Sequence, residues 1–197
     1  FDRLVEGGAM VIDGRDPDEF GHGHLAGSIN VGLNGRYAEF AGSVIPHDVD
    51  IVLVVDEGFE LEAKNRLARI GFDRVVGFLQ HPYIVMLDHP DRVRHASRMT
   101  AVEFDARRDE IDGLQLVDIR NPGEVALGVI GGATTIPVGQ LPGRLAELDP
   151  AAPTVVYCAG GYRSSVAASV LREAGYSDVS DILGGYGAWQ EIQPSLV

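Results

Sequence analysis

Short runs of β-branched residues alternate along this chain with stretches of helical periodicity. That alternation predicts a parallel sheet with helices on its faces. In the second half the runs lie near residues 114–118, 133–136, 154–157 and 179–182, and the helical stretches near 100–108, 138–148, 164–174 and 185–192. In the first half a strand is read over 51–55, with a helix starting near Glu60. The small and aliphatic residues that follow Ser164 and Ser165 read as a helix with a serine cap.

The pattern occurs twice. Val11 to Arg15 matches Leu116 to Arg120, and Gly23 to Val31 matches Gly128 to Ile136. Ile51 to Val55 matches Pro153 to Tyr157, and Arg66 to Phe72 matches Val170 to Tyr176. An offset of 102 to 105 residues is too long for a solenoid and fits a duplicated small domain. The expected domains are 1–79 and 100–197, joined by 80–99. Within that joining segment Tyr83 to Leu87 is apolar, while Asp88 to Arg98 is charged and contains Pro90. A purely flexible linker would not carry five apolar residues together, so part of it is expected to pack against a domain.

Composition narrows the class. The length of 197 residues suits one or two domains. No apolar stretch approaches the roughly 18 residues that span a membrane. The start, Phe1 to Glu6, has no basic region leading into an apolar core, so no signal peptide is expected. The chain also lacks an initiator Met, which points to a fragment of something longer. The formal net charge is −13, with 16 acidic and 10 basic side chains over residues 1–98 and 13 and 6 over the rest. Neither half has a basic stripe, which argues against nucleic acid as a partner. A single cysteine cannot form an internal disulfide, so a reduced cytoplasm is the expected location.

That cysteine carries the candidate chemistry. Cys158 follows the run 153–157, and Ala159-Gly160-Gly161-Tyr162-Arg163 lead into the next helix. The carboxyl end of a parallel strand, facing a helix N-terminus, binds anions and favours thiolates. The thiolate is the reactive form, so Cys158 is a candidate nucleophile. Gly160 and Gly161 permit a tight loop in which backbone N–H groups of 159–163 cradle an anion. Arg163 adds a fixed charge and a planar fork for an oxyanionic donor. The helix beginning near Ser164 adds its dipole. Nothing in this scheme needs a base. All six histidines (22, 24, 47, 81, 89 and 95) lie in the first unit or the joining segment, which argues against a Cys–His protease or acyltransferase. A tyrosine-phosphatase-like loop has five residues between Cys and Arg. The four here make a smaller cradle, better suited to one sulfur than to a phosphate.

The spacing from Cys158 to Arg163, with Gly160 and Gly161 inside it, resembles the active-site loop of rhodanese sulfurtransferases. The Asp-x-Arg pairs Asp13/Arg15 and Asp118/Arg120, and the stretch Gly23 to Ser28, also match that family. The resemblance covers nearly the whole chain. It implies an α/β fold of two rhodanese-like domains in tandem, each an open parallel sheet flanked by helices. It also implies a sulfurtransferase that moves a sulfane sulfur from thiosulfate or a thiol persulfide to a thiophilic acceptor through a Cys158 persulfide. The substrate-binding residues would be Ala159, Gly160, Gly161, Tyr162 and Arg163, with no metal or organic cofactor. The stretches Cys158 to Ser165 and Asn30 to Arg36 are also similar to the C-terminal part of bacterial fusions. In those fusions a metallo-β-lactamase-fold persulfide dioxygenase precedes two rhodanese domains. The metal-binding His-x-His-x-Asp-His motif of the hydrolase portion is absent here. The implied setting is sulfide metabolism in a bacterial cytoplasm, with small sulfur anions or thiol persulfides as substrates. The implied partner is a fused or separate metallo-β-lactamase-fold domain. A second reading is a docking module that receives a persulfide-bearing partner without turning it over.

The first unit departs from the pattern. Its strand 51–55 runs into Asp56, which is read as standing in place of the cysteine. No arginine follows, and acids occupy 57, 60 and 62. The unit is read as catalytically inactive, with a structural or docking role. Asp118, Arg120 and Ser164 are read as loop supports, since Asp13 and Arg15 persist in the inactive unit. His22 and His24 have a spacing seen in metal sites, but no further ligands cluster near them, and His24 is read as a turn residue. Tyr162 either shapes the pocket mouth or covers the loop. Gly184 to Gly187 is read as a strand-to-helix turn rather than a dinucleotide site, and Trp189 as core.

Overall fold

The computed structural model describes residues 1–193. The chain divides into two compact units, Phe1–Ala96 and from Ser97 onward. In the first unit the strands are β1 (Met10–Asp13), β2 (His24–Leu25), β3 (Ser28–Asn30), β4 (Ile51–Val54), β5 (Val75–Phe78) and β6 (Val93–Arg94). Its helices are α1 (Asp2–Glu6), α2 (Pro17–His22), α3 (Tyr37–Val44), α4 (Glu60–Ala68) and α5 (Pro82–Asp88). The second unit has β7 (Ser97–Met99), β8 (Gln115–Asp118), β9 (Thr134–Thr135), β10 (Thr154–Tyr157) and β11 (Val179–Ile182). Its helices are α6 (Ala101–Arg107), α7 (Pro122–Val125), α8 (Leu141–Arg144), α9 (Tyr162–Glu173) and α10 (Gly185–Ile192).

Each unit is an open parallel sheet flanked by helices, and the fold is α/β. The first sheet has the order β3-β1-β4-β5, the second β7-β11-β10-β8-β9, with every pairing parallel. Parallel strands covered on both faces read as continuous apolar runs, and β4 and β10 are buried along their whole length. Two antiparallel strands, β2 and β6, add a short ribbon to the first unit. In the second unit Phe104 and Ile130 pack with Leu116, Val155, Tyr157 and Ile182. Trp189 is half-buried against that cluster. Helix α9 is buried at eight consecutive positions, Ser164 to Leu171. Its small residues Ala167, Ala168 and Ser169 let its backbone lie close to the sheet.

Two expectations need correcting, and the joining segment 80–99 packs more fully than expected. Helix α5 belongs to the first unit, where Met86 packs with Val11, Leu25 and Val54, and β7 forms the edge of the second sheet beside β11. The stretch 138–148 is not one helix but 3-10 turns at Val138–Gln140 and Leu145–Glu147 on either side of α8. Pro142 has no N–H to give to a preceding turn and is tolerated only in a first turn, so the helix restarts there. Helix α9 starts at Tyr162, two residues earlier than expected, with Gly161 rather than a serine as its N-cap. Gly161 takes φ +101, which glycine reaches without a Cβ clash, and so closes the turn earlier.

From β8 the chain goes to β9 on one side and then to β10 on the other. The crevice beyond the carboxyl ends of β8 and β10 is therefore the switch point where open α/β sheets place their sites. Truncating Phe104, fully buried in this core, to Ala should cost about 3–5 kcal/mol in denaturant unfolding. A loss under about 1 kcal/mol would contradict the packing described here.

Candidate active site

Cys158 follows β10 directly and is 1% exposed. The N–H of Gly161 donates to its Sγ at 3.0 Å, three residues along the loop. The thiol is 3.7 Å from the Ser164 hydroxyl, and that hydroxyl lies 2.9 Å from the Gly161 carbonyl and 3.3 Å from Asp181. Asp181 is buried on β11 and held by Arg98 through both carboxylate oxygens. Ser164 thus sits between the thiol, the loop and a buried carboxylate. It is the third residue of α9 and acts inside the first turn rather than as a cap.

The loop is gripped from behind by the first turn of α10. The Tyr186 N–H donates to the Cys158 carbonyl at 2.7 Å, and the Gly187 N–H to the Ala159 carbonyl at 3.1 Å. In a trans peptide the N–H points opposite the C=O, so the N–H groups of Ala159 and Gly160 face away from α10. The approach is close enough to exclude side chains. A Cβ on Gly185 would lie 2.2 Å from the Cys158 carbonyl oxygen. The turn Gly184 to Gly187 is a strand-to-helix turn, and it is also the mould of the cysteine loop. Sequence reading missed that second role. The paired glycines Gly184 and Gly185, one residue beyond β11, were its visible signal.

Asp118 and Arg120 lie at the end of β8, 0% and 3% exposed. The Arg120 backbone N–H and Nε donate to one Asp118 oxygen at 3.0 and 2.9 Å, and its terminal nitrogen reaches the other at 2.6 Å. The same nitrogen donates to the Gly128 carbonyl at 2.7 Å. The guanidinium lies 3.9 Å from the Tyr186 ring centre. Burial works against the charge on Arg120, yet hydrogen bonding to Asp118 raises its pKa above the ordinary arginine value. The pair is thus connected to the loop through Tyr186, whose N–H holds the Cys158 carbonyl. The first unit repeats it: Arg15 is bonded to Asp13 and donates to the Gly23 carbonyl at 2.9 Å.

Arg163 is not a free fork. Its two terminal nitrogens donate to the two oxygens of Glu124 at 2.7 and 2.6 Å. Glu124 sits on α7, 39 residues earlier, and sequence reading did not single it out. Hydrogen bonding to Arg163, against an opposing effect of burial, holds the Glu124 carboxyl down at about 2. Tyr162 opens α9 and is half-buried.

In the first unit the sheet register corrects the alignment. Asp118 pairs with Tyr157, and its counterpart Asp13 pairs with Val54. The position of Cys158 is therefore taken by Val55, 2% exposed, and Asp56 corresponds to Ala159. Asp56 accepts a hydrogen bond from the Tyr83 hydroxyl at 2.7 Å. Burial, then that bond, push the Tyr83 hydroxyl up to about 12, so it remains a donor across the physiological range. His24 is buried, stacked on Phe20, and its Nδ1 lies 2.9 Å from the Phe20 carbonyl. Among the described residues no three His, Cys, Asp or Glu side chains group as metal ligands. No described helix is long and apolar enough to cross a membrane.

Fold and loop together define an α/β protein built of two related units, one of which presents a cysteine in a glycine-rich turn between a strand and a helix. Residues 1–81 and 100–192 match the rhodanese-like domain, and the chain belongs to that family. It is 38% identical over 90 residues to the thiosulfate sulfurtransferase GlpE of Pseudomonas paraeruginosa, an overlap of 46% of this chain and 82% of that protein. It is 37% identical over 83 residues to a sulfurtransferase of Allochromatium vinosum, covering 42% of this chain and 78% of the other. A crystal structure of a rhodanese-like domain protein from Staphylococcus aureus is 31% identical with a TM-score of 0.45, over 47% of this chain and 90% of that one.

A Cβ at Gly185 must displace the Cys158 carbonyl. Gly185→Ala should therefore lower stability by about 1–3 kcal/mol and slow alkylation of Cys158 by iodoacetamide. Gly123→Ala meets nothing within 4 Å and should do neither. Equal behaviour of the two variants would count against the mould.

Proposed function

We propose that the chain is a sulfurtransferase that carries sulfane sulfur on Cys158. The observation that supports this most directly is the Gly161 N–H donating to the Cys158 sulfur at 3.0 Å. This contact sits at the N-terminus of a 12-residue helix. Backbone donors and the helix dipole both favour negative charge there, as a thiolate or a persulfide requires. The relatives named as sulfurtransferases point the same way.

The reaction conserves atoms and electrons. The Cys158 thiolate forms a bond to the outer sulfur of thiosulfate while the sulfur–sulfur bond of the donor breaks. Sulfite leaves with the bonding pair, and Cys158 is left as an anionic persulfide. A nucleophilic acceptor, cyanide or a thiolate, then takes the outer sulfur and restores the thiolate. A thiol persulfide can replace thiosulfate as donor, with the parent thiolate as leaving group. No metal or organic cofactor enters. Arg163 helps to receive the donor, and Asp118, Arg120 and Ser164 hold the loop.

The first unit has Val55 at the equivalent position and no arginine in the loop after it, so we assign it a structural or docking role. We extend the proposal to low-molecular-weight thiol persulfides as the physiological donor or acceptor in a bacterial cytoplasm, shared with a metallo-β-lactamase-fold persulfide dioxygenase, fused or separate, that consumes them. The competing reading is a docking module that accepts sulfur without releasing it.

Intact-protein mass after thiosulfate, then after cyanide or a thiol, tests the proposal. One added sulfur, absent in Cys158→Ser and discharged by the acceptor, is expected. Loading without discharge would favour the docking module. No loading by thiosulfate or by glutathione persulfide, with the thiol shown to be free, would overturn sulfur transfer. Asp56→Ala should leave turnover within about twofold, because that side chain lies in the other unit and replaces no nucleophile.

A further inference from the structure

We propose that Glu124 is a specificity-determining residue that sets the charge of the donor the Cys158 site accepts, disfavouring dianions such as thiosulfate relative to monoanions. The inference rests on the sulfur-transfer reading above and concerns which donor that chemistry selects.

The pair is bidentate. Both terminal nitrogens of Arg163 are matched to both oxygens of Glu124, the geometry in which a guanidinium is most fully satisfied. Glu124 is also anchored at its own end, since its Oε2 accepts the Asn121 N–H at 3.1 Å in the first turn of α7. The side chains are 15% and 34% exposed for Arg163 and Glu124, so the pair is reachable from solvent. Arg163 also lies within electrostatic reach of the Cys158 sulfur.

The consequence is a balance of charge. Arg163 alone would present a full positive charge to an anion entering the loop. With Glu124 on it, the donor meets a neutral pair and must share the fork or displace a carboxylate. Two other arginines behind the loop are matched as well, Arg120 to Asp118 and Arg98 to Asp181. A second negative charge on the donor therefore gains little from Arg163 and is repelled by Glu124. A donor with one charge feels half of that repulsion. The reacting sulfur is the same in both cases, so the discrimination acts on binding and not on the bond-making step.

Two donors isolate the difference. Thiosulfate carries two charges and leaves as sulfite. Methanethiosulfonate carries one and leaves as methanesulfinate, by the same attack of thiolate on outer sulfur and the same release of an electron pair. Persulfide formation on Cys158 is followed with both, in the wild type and in Glu124→Gln. Glutamine retains the shape and an acceptor oxygen for the Asn121 N–H, while it removes the charge and one of the two acceptors that face Arg163. The ratio of kcat/KM for thiosulfate over methanethiosulfonate should rise about tenfold in Glu124→Gln, carried by a lower KM for thiosulfate. The rise should shrink in high salt. Glu124→Asp, which restores the charge, should bring the ratio back toward wild type. An unchanged or lower ratio in Glu124→Gln, or an Asp variant that behaves like the Gln variant, would overturn the proposal. If neither donor loads Cys158 in the wild type, sulfur transfer itself fails and this inference fails with it.

Discussion

The cysteine loop depends on the approach of Gly185 to the Cys158 carbonyl. Two helix N-termini meet at this loop from different sides. The first turn of α10 donates to the carbonyls of Cys158 and Ala159, while the N-terminus of α9 is turned toward the thiol. Fixing two carbonyls on one side of a tight turn leaves the N–H groups on the other. The loop thus becomes a donor-lined cradle by default. That arrangement needs a residue without a side chain at 185, and it needs β10 and β11 adjacent in the sheet so that their carboxyl ends deliver both turns together.

The two units share this frame and differ in what the frame holds. Each has a buried Asp-Arg pair at the end of its second-to-centre strand, reaching a glycine carbonyl eight residues on. An ion pair so deeply buried is tolerated only when its hydrogen bonds are satisfied, and both pairs are. In the first unit the strand end beside the pair bears Val55, and Tyr83 from α5 bonds to the adjacent Asp56. A scaffold that stays intact while its nucleophile position becomes apolar fits a unit retained for its shape.

Charge around the thiol is matched more closely than composition suggests. A chain of net charge −13 could surround its anion site with unopposed arginines to attract substrate. Instead Arg98, Arg120 and Arg163 each face a carboxylate. The Gly161 backbone N–H donates to the sulfur itself, and each of these three side-chain charges is opposed by a carboxylate. Such a site distinguishes donors by their charge as well as by their reacting atom.

Sequence alone determined the α/β class, the duplication and the thiol loop, because each is written in neighbouring residues. Short β-branched runs, helical stretches and a Cys-to-Arg spacing with two glycines inside are all local signals. Tertiary structure decided the rest, for reasons of register and distance along the chain. Sequence matching placed Asp56 opposite the cysteine, yet the sheet register puts Val55 there, since the repeat offset drifts where loops differ in length. Arg163 read as a free fork because its partner Glu124 lies 39 residues away, brought in by the β8–β10 pairing. The Gly184 turn read as a connection because its contact with Cys158 exists only once β10 and β11 are side by side. Segment 80–99 read as a joiner because neither α5 nor β7 has a face of its own until a core accepts it. Local pattern specifies which elements form. Which residues meet across them is set by the sheet, whose one-residue steps no local signal records.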